Sequence, residues 1–313
     1  MVSKLNKVSI FPIGHTDRKY RNNKSNKSIR SLIFKYSGLI PFFIFAFIFI
    51  GIPTLTVIIL AFKGNSNEWT LENIKFAFGD IYLDSLLGSL KLGLTSAITG
   101  SILGILFAYA LSVSKNLKLQ KIVSTASGVF ANTGGVPLAF FFIASVGNYG
   151  VVTLFLQRLG IDLYATNFSL SSFSGLVLVY LYFQIPLMLI VIYPAIEGMR
   201  IEWREAAINL GASRQNYWQY IGIPILLPAF LGAFLLLFAN AFAAYATAKV
   251  LTVGTVALLP VQIGANLQGD VIADQVNVGM AMGLEMILIV ALAMGIYSRL
   301  DKRASRWRKV THE

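Results

Sequence analysis

The sequence predicts an all-α integral membrane protein with six transmembrane helices and both termini cytoplasmic. Three observations predict it. Of the 313 residues, 56% are hydrophobic and 13% charged, where soluble domains carry roughly half and about a quarter. Six apolar runs each reach the ~20 residues needed to cross hydrocarbon as a helix. Lys and Arg then sort by loop: with both ends inside, only Lys63, Lys75, Lys91, Arg158 and Lys249 of the 26 fall outside, as the positive-inside rule requires.

In chain order, residues 1–34 read as a basic cytoplasmic tail. About thirty polar residues precede the first apolar run, and that run is longer than the apolar core of a secretory signal. Lys24, Lys27, Arg30 and Lys35, spaced by Ser and Asn, would hold this tail near anionic headgroups. The membrane domain follows over 35–298, with spans at about 37–62, 86–112, 122–147, 173–194, 225–248 and 276–298. In the loop 63–85, Thr70 is placed to cap a short helix starting near Glu72. The Gly-, Asn- and Ser-punctuated stretch 149–172 is expected to be re-entrant or interfacial. Residues 299–313 form a second basic tail.

Composition also excludes functions. There is no cysteine, and His15 and His312 both lie in the polar tails, so disulfides and thiolate metal sites are ruled out. The net charge of +12 is divided by membrane side rather than gathered into a patch, which argues for lipid and against nucleic acid as the partner. An intramembrane enzyme is unsupported: no G-x-S-x-G, H-E-x-x-H or paired intramembrane aspartates occur. A channel or secondary carrier would also place polar residues in its spans and stays open at this level.

The loop of about 195–224 carries the most specific pattern. Glu202-Trp203-Arg204-Glu205-Ala206-Ala207-Ile208-Asn209-Leu210-Gly211-Ala212-Ser213-Arg214 precedes Tyr217 through Pro224. Good helix formers run to Leu210, Gly211 can take the left-handed conformation that ends a helix, and Ala212-Ser213 can start the next. The expected product is a short helix, a sharp turn and a second helix leading to Pro224. Such a helix can dock into a groove of another protein, with Glu205 pairing a partner's cation, or can simply lie at the interface as a connector.

Glu205-Ala206-Ala207, three residues, Gly211, nine residues, Ile221, one residue, and Ile223-Pro224 resemble the EAA loop of permease subunits of type I ABC importers. Ile223 stands where that family usually has Leu. The likeness extends over a core of about 86–298. The stretch Tyr182 through Pro186, and Pro194-Ala195-Ile196-Glu197-Gly198, look closest to the spermidine/putrescine branch. The resemblance implies that the Glu205 helix inserts into a separate ATPase subunit and that Gly211 shapes its turn. Two ATPase copies would then drive two permeases, the second a different chain, around one pathway fed by an extracellular substrate-binding protein in a bacterial plasma membrane. It also implies no cofactor on this chain, with ATP and Mg on the partner, in keeping with the missing G-x-x-x-x-G-K-[ST] loop. Polyamine is the solute implied; ferric iron, thiamine, phosphonate or an oxyanion belong to related branches.

Polar groups inside spans are the pathway candidates, because each must be paired or line a cavity. Glu285, between Leu284 and Met286, can serve as a counter-charge or gate, or as a structural partner for Lys249. Asn132 and Thr133, before Gly134-Gly135 and Pro137, mark either an unwound segment at a cavity or glycines that let helices pack. Asn240 and Tyr245 are expected about 140° apart on the fifth helix. Gln184, beside Ile185-Pro186, sits at an expected kink.

Overall fold

The structure, a computed structural model, describes residues 38–64, 66–114, 116–166, 168–252, 254–268 and 276–309. The basic N-terminal tail and Lys115 lie outside the described residues. Helix alone builds the fold: among the described residues the only β feature is an isolated bridge between Lys63 and Trp69. The chain forms two units that divide after Thr56.

The first unit contains most of helix α1 (Ile40–Ala61), the first candidate span. None of its residues 38–56 is buried, and Phe42, Phe43, Phe45 and Phe49 are about 60% exposed, as suits side chains that face lipid. A π turn at Phe47–Gly51 interrupts the helix just before Ile52-Pro53. Proline lacks an N–H, and its ring crowds the carbonyl four residues back. Widening that turn removes the conflict.

The second unit begins at Val57 and holds everything else. Asn73, in short helix α2 (Glu72–Ala77), donates to the carbonyls of Ala61 and Lys63 and pins the loop. Thr70 is not the formal N-cap, which is Leu71, but its Oγ1 accepts the Glu72 N–H at 3.1 Å and so serves the same free amide. Next come α3 (Asp80–Val113), α4 (Leu117–Asn132), α5 (Gly135–Val146), α6 (Val151–Arg158) and α7 (Phe173–Glu197). After α7 lie α8 (Ile201–Asn209), α9 (Arg214–Phe242), α10 (Ala246–Thr252), α11 (Leu259–Gln268) and α12 (Val276–Lys309).

Six helical stretches remain long and apolar enough to span, but the third differs from expectation. The run 122–147 is not one helix. It breaks at Thr133-Gly134, and the apolar span is Gly135–Arg158, which takes in α6 from the stretch expected to be re-entrant. The amphipathic α4 instead packs along α7. Helix α12 continues into the second basic stretch, to Lys309. At 1.5 Å per residue, its 34 residues extend about 51 Å, well past the hydrocarbon.

Helix α7 lies at the centre, with half of its apolar window buried. It runs unbroken through Pro186 and Pro194. Its main neighbour is α3, and the contact is set by Gly100 and Gly104. A Cβ on Gly100 would fall 2.8 Å from that of Gln184, and one on Gly104 would collide with the Cβ of Met188. This small-xxx-small spacing lets two backbones meet where burial of apolar surface gives no drive within lipid. Two core clusters flank α7. One joins it to α3, α9 and α12 through Met188, Ile192, Leu237 and Met282. The other joins it to α5 and α10 through Leu138, Phe142, Tyr180 and Leu251.

Candidate functional site

The loop after α7 folds much as its sequence dictates. Helix α8 ends where Gly211 takes φ +78°. The Gly211 N–H donates to the Ile208 carbonyl at 2.9 Å and the Ala212 N–H to the Ala207 carbonyl at 2.9 Å. This is the paired closure of a Schellman turn. Ser213 starts the next helix, its Oγ accepting the Asn216 N–H at 3.2 Å. Along α8, Glu205 and Ala206 are exposed and Ala207 is buried. Around them Ile201, Ile208 and Leu210 are 72%, 57% and 88% exposed, a large apolar display for a connecting loop.

The second helix does not stop at Pro224. It runs on to Phe242, with a π turn at Trp218–Gly222 directly before Ile223-Pro224. Ile221 lies half-buried inside that turn and Pro224 is exposed just past it. The arrangement repeats that of α1. In both, an aromatic residue opens the turn and a glycine closes it, since a Cβ on Gly222 would fall 2.5 Å from the Trp218 ring and one on Gly51 3.0 Å from the Phe47 ring. No expectation from sequence included this device, although aromatic-x-x-x-Gly-Ile-Pro occurs at both places.

Three of the six pathway candidates meet at one cleft of about 360 Å³. It opens at the break between α4 and α5 and is lined by Asn132, Gly134, Gly135, Asn240, Tyr245 and Thr247, among others. Unwinding, not close packing, explains the glycines: a Cβ on Gly134 would meet nothing within 4 Å, while Gly135 holds φ +73°. Asn132 donates its amide to the Gly128 carbonyl at 2.8 Å, and its Oδ1 has no hydrogen-bond partner among the described residues. Asn240 is exposed and has no hydrogen-bond partner among the described residues. Helix α9 ends at Phe242, so Tyr245 lies beyond it, and the expected 140° separation from Asn240 does not apply. Tyr245 packs on Gly264, accepts from Gln268 at 3.5 Å and carries Lys249 at 5.5 Å from its ring centroid. Thr247, which sequence reasoning missed within an Ala-rich segment, ties α10 to the break by donating to the Gly135 carbonyl at 3.1 Å.

The other three candidates lie elsewhere. Thr133 caps the end of α4, its hydroxyl donating to the Val129 carbonyl at 2.8 Å. Gln184 is fully buried, with Nε2 donating to the Leu237 carbonyl at 3.0 Å and Oε1 unpartnered. It cross-links α7 to α9. Glu285 is 3% exposed and does not line the cleft. Neither of its oxygens has a hydrogen-bond partner, so the pairing with Lys249 is not formed; the Lys249 amine bonds Gln268 at 3.2 Å.

Residues 100–306, which hold this loop and the cleft, match a known sequence family, the binding-protein-dependent transport system inner membrane component. The chain belongs to that family. It is therefore a multi-pass inner-membrane protein and the permease subunit of an ABC importer, a transport component whose ATPase is a separate subunit. Relatives of this importer permease include the spermidine/putrescine permease protein PotB of Haemophilus influenzae, 24% identical over 91% of this chain and 97% of that protein. A PotC homolog of Mycoplasma pneumoniae is 25% identical over 65% of this chain and 71% of its own. The Escherichia coli permease protein YdcU is 26% identical over 51% of this chain, and the match spans 55% of YdcU. Among solved structures, a chain of a bacterial ABC transporter that imports the acidic polysaccharide alginate superposes with TM-score 0.67 at 19% identity, over 90% of this chain and 99% of that one. A chain of the MetNI methionine transporter gives 0.51 at 18%, over 71% and 95%. At these identities the two structures speak for the fold alone.

Proposed function

We propose that this permease forms the translocation pathway for a small solute handed over by an external binding protein, and that α8 is the coupling helix. Glu205, Ala206, Ala207 and Gly211, with Ile221 and Pro224 behind them, would carry the stroke of a separate ATPase into α9. The observation that supports this is the exposed Glu205 on a short helix closed by Gly211 at φ +78°. A rigid, charged projection can transmit motion where a flexible linker cannot. Two ATPase copies holding ATP and Mg, a second and different permease, and cytoplasmic termini complete the assembly, with no cofactor on this chain.

For the solute we favour a polyamine, on the likeness to PotB and the PotC homolog. The cleft would take ammonium groups on Asn132 Oδ1, Asn240, backbone carbonyls and the Tyr245 ring. A second reading is favoured by a specific observation: among the described residues no carboxylate lines the cleft, and Glu285 is buried apart from it. A solute rich in hydrogen-bonding groups but without multiple positive charge fits that surface equally well.

Co-purification of the tagged chain from its own membrane, followed by ATPase assays with solute-loaded binding protein, tests both levels. Recovery of an ATPase and a second permease, stimulated by spermidine, upholds the proposal. Stimulation by another solute alone replaces the polyamine, and recovery of the chain without an ATPase overturns the coupling role.

A further inference from the structure

We propose that the cleft behind α8 is a binding site for a phosphate-bearing anion, the headgroup of an anionic phospholipid. It encloses about 470 Å³ where the ends of α3 and α7 meet the loop, and Arg200, Arg204 and Arg214 all line it. All three are exposed, and none pairs with a carboxylate among the described residues. Among the described residues the one carboxylate in the lining, Glu197, accepts the Tyr193 hydroxyl at 2.6 Å. Among the described lining residues, three guanidinium groups thus stand against a single carboxylate, and the cleft carries net positive charge.

Its donors are pre-positioned. The Arg200 guanidinium lies over the Trp203 ring at 5.9 Å, and Arg214 donates to the Tyr109 hydroxyl oxygen at 3.2 Å. Having accepted that bond, Tyr109 keeps its own O–H to donate. Ser213 is in the same position, since its Oγ accepts from Asn216. Guanidinium and hydroxyl donors that outnumber the single lining carboxylate suit phosphate oxygens. Ile196, Ile208 and Trp218 add an apolar wall that an inorganic ion would leave unused and a lipid would cover. Basic pockets between helices at a membrane surface bind headgroups by this combination. That the cleft opens to the cytoplasmic leaflet rests on α8 being the coupling helix; the anion site rests on the arginines alone.

The full chain, purified in detergent, is examined by native mass spectrometry with phosphatidylglycerol, phosphatidylcholine and inorganic phosphate as probes. The expected result is retention of phosphatidylglycerol over phosphatidylcholine, reduced about tenfold in R200Q/R204Q, largely kept in R200K/R204K, and unaffected in K118Q/K121Q, a basic pair outside the cleft. Displacement of the lipid by millimolar inorganic phosphate would uphold the anion site and transfer it from lipid to soluble phosphate. Equal retention of the two lipids, or no loss in R200Q/R204Q, would overturn it. Because no ATPase is present, failure here is distinct from failure of the coupling role, which an E205K variant reports through lost ATPase co-purification.

Discussion

The Ala212 N–H donates to the Ala207 carbonyl across 2.9 Å, and this bond closes only because Gly211, between them in the chain, holds φ +78°. A Cβ on Gly211 would meet nothing within 4 Å, so the whole penalty for a side chain lies in the backbone, about 1–2 kcal/mol for an L-residue in the left-handed region. G211A is expected to loosen the end of α8 and cut uptake several-fold without lowering expression. G211N, which tolerates that conformation better, should lose less. Solute uptake at matched membrane levels reads the order wild type, G211N, G211A; equal uptake for all three would show that the turn is not part of the coupling path.

The Glu205 side chain is exposed and makes no hydrogen bond or ion pair among the described residues, so its replacement should leave stability within about 0.5 kcal/mol. Charge reversal against a complementary partner costs several kcal/mol. E205K should therefore keep the thermal midpoint of the purified chain while ATPase co-purification drops by tenfold or more. Unchanged co-purification would make α8 an ordinary interfacial connector.

Close approach of α3 and α7 gives a prediction about the fold alone. G104V would force the added methyl groups against Met188, where even a Cβ collides. Overpacking of this kind costs about 1–3 kcal/mol, so the variant should unfold at lower temperature in detergent. L106V, on the exposed side of the same helix, should not.

How much of this was legible in the sequence follows from how local each signal is. The spans and the α8 turn are set by neighbours in the chain: apolar runs, a helix-forming stretch, then Gly211. The third span was misplaced because α4 is amphipathic and continuous in composition with α5, so hydropathy ran across the break at Thr133-Gly134. Tyr245 read as helical because Ala243 and Ala244 are good helix formers; only the fold ends α9 at Phe242. Whether Gln184 faces a cleft or a core depends on which side of α7 meets Gly100, and no pattern within α7 encodes that. The π turns are local too, but hydropathy and helix propensity do not register the aromatic and glycine that precede Ile-Pro at both places.

The cleft predicts a separation of transport from stability. Thr247 links α10 to the break through the Gly135 carbonyl, and T247V removes about 1 kcal/mol of hydrogen bonding while keeping shape. Asn240 makes no such link, so N240L should leave the thermal midpoint unchanged. If the cleft is the pathway, N240L lowers uptake and shifts solute preference, with ATPase co-purification intact. Uptake that is insensitive to N240L would place the pathway elsewhere.

Gln184 supplies the contrast. Its Nε2 bonds the Leu237 carbonyl, which also lies within the helix ladder of α9, while its Oε1 is buried without a partner. Q184L thus loses one hydrogen bond worth about 1 kcal/mol and relieves one unsatisfied oxygen worth about the same. The two effects should nearly cancel, and because Gln184 does not line the cleft, uptake and solute preference should both be retained. A Q184L variant of normal stability that fails to transport would put Gln184 back in the pathway and require α7 to turn this face to the solute in another state of the cycle.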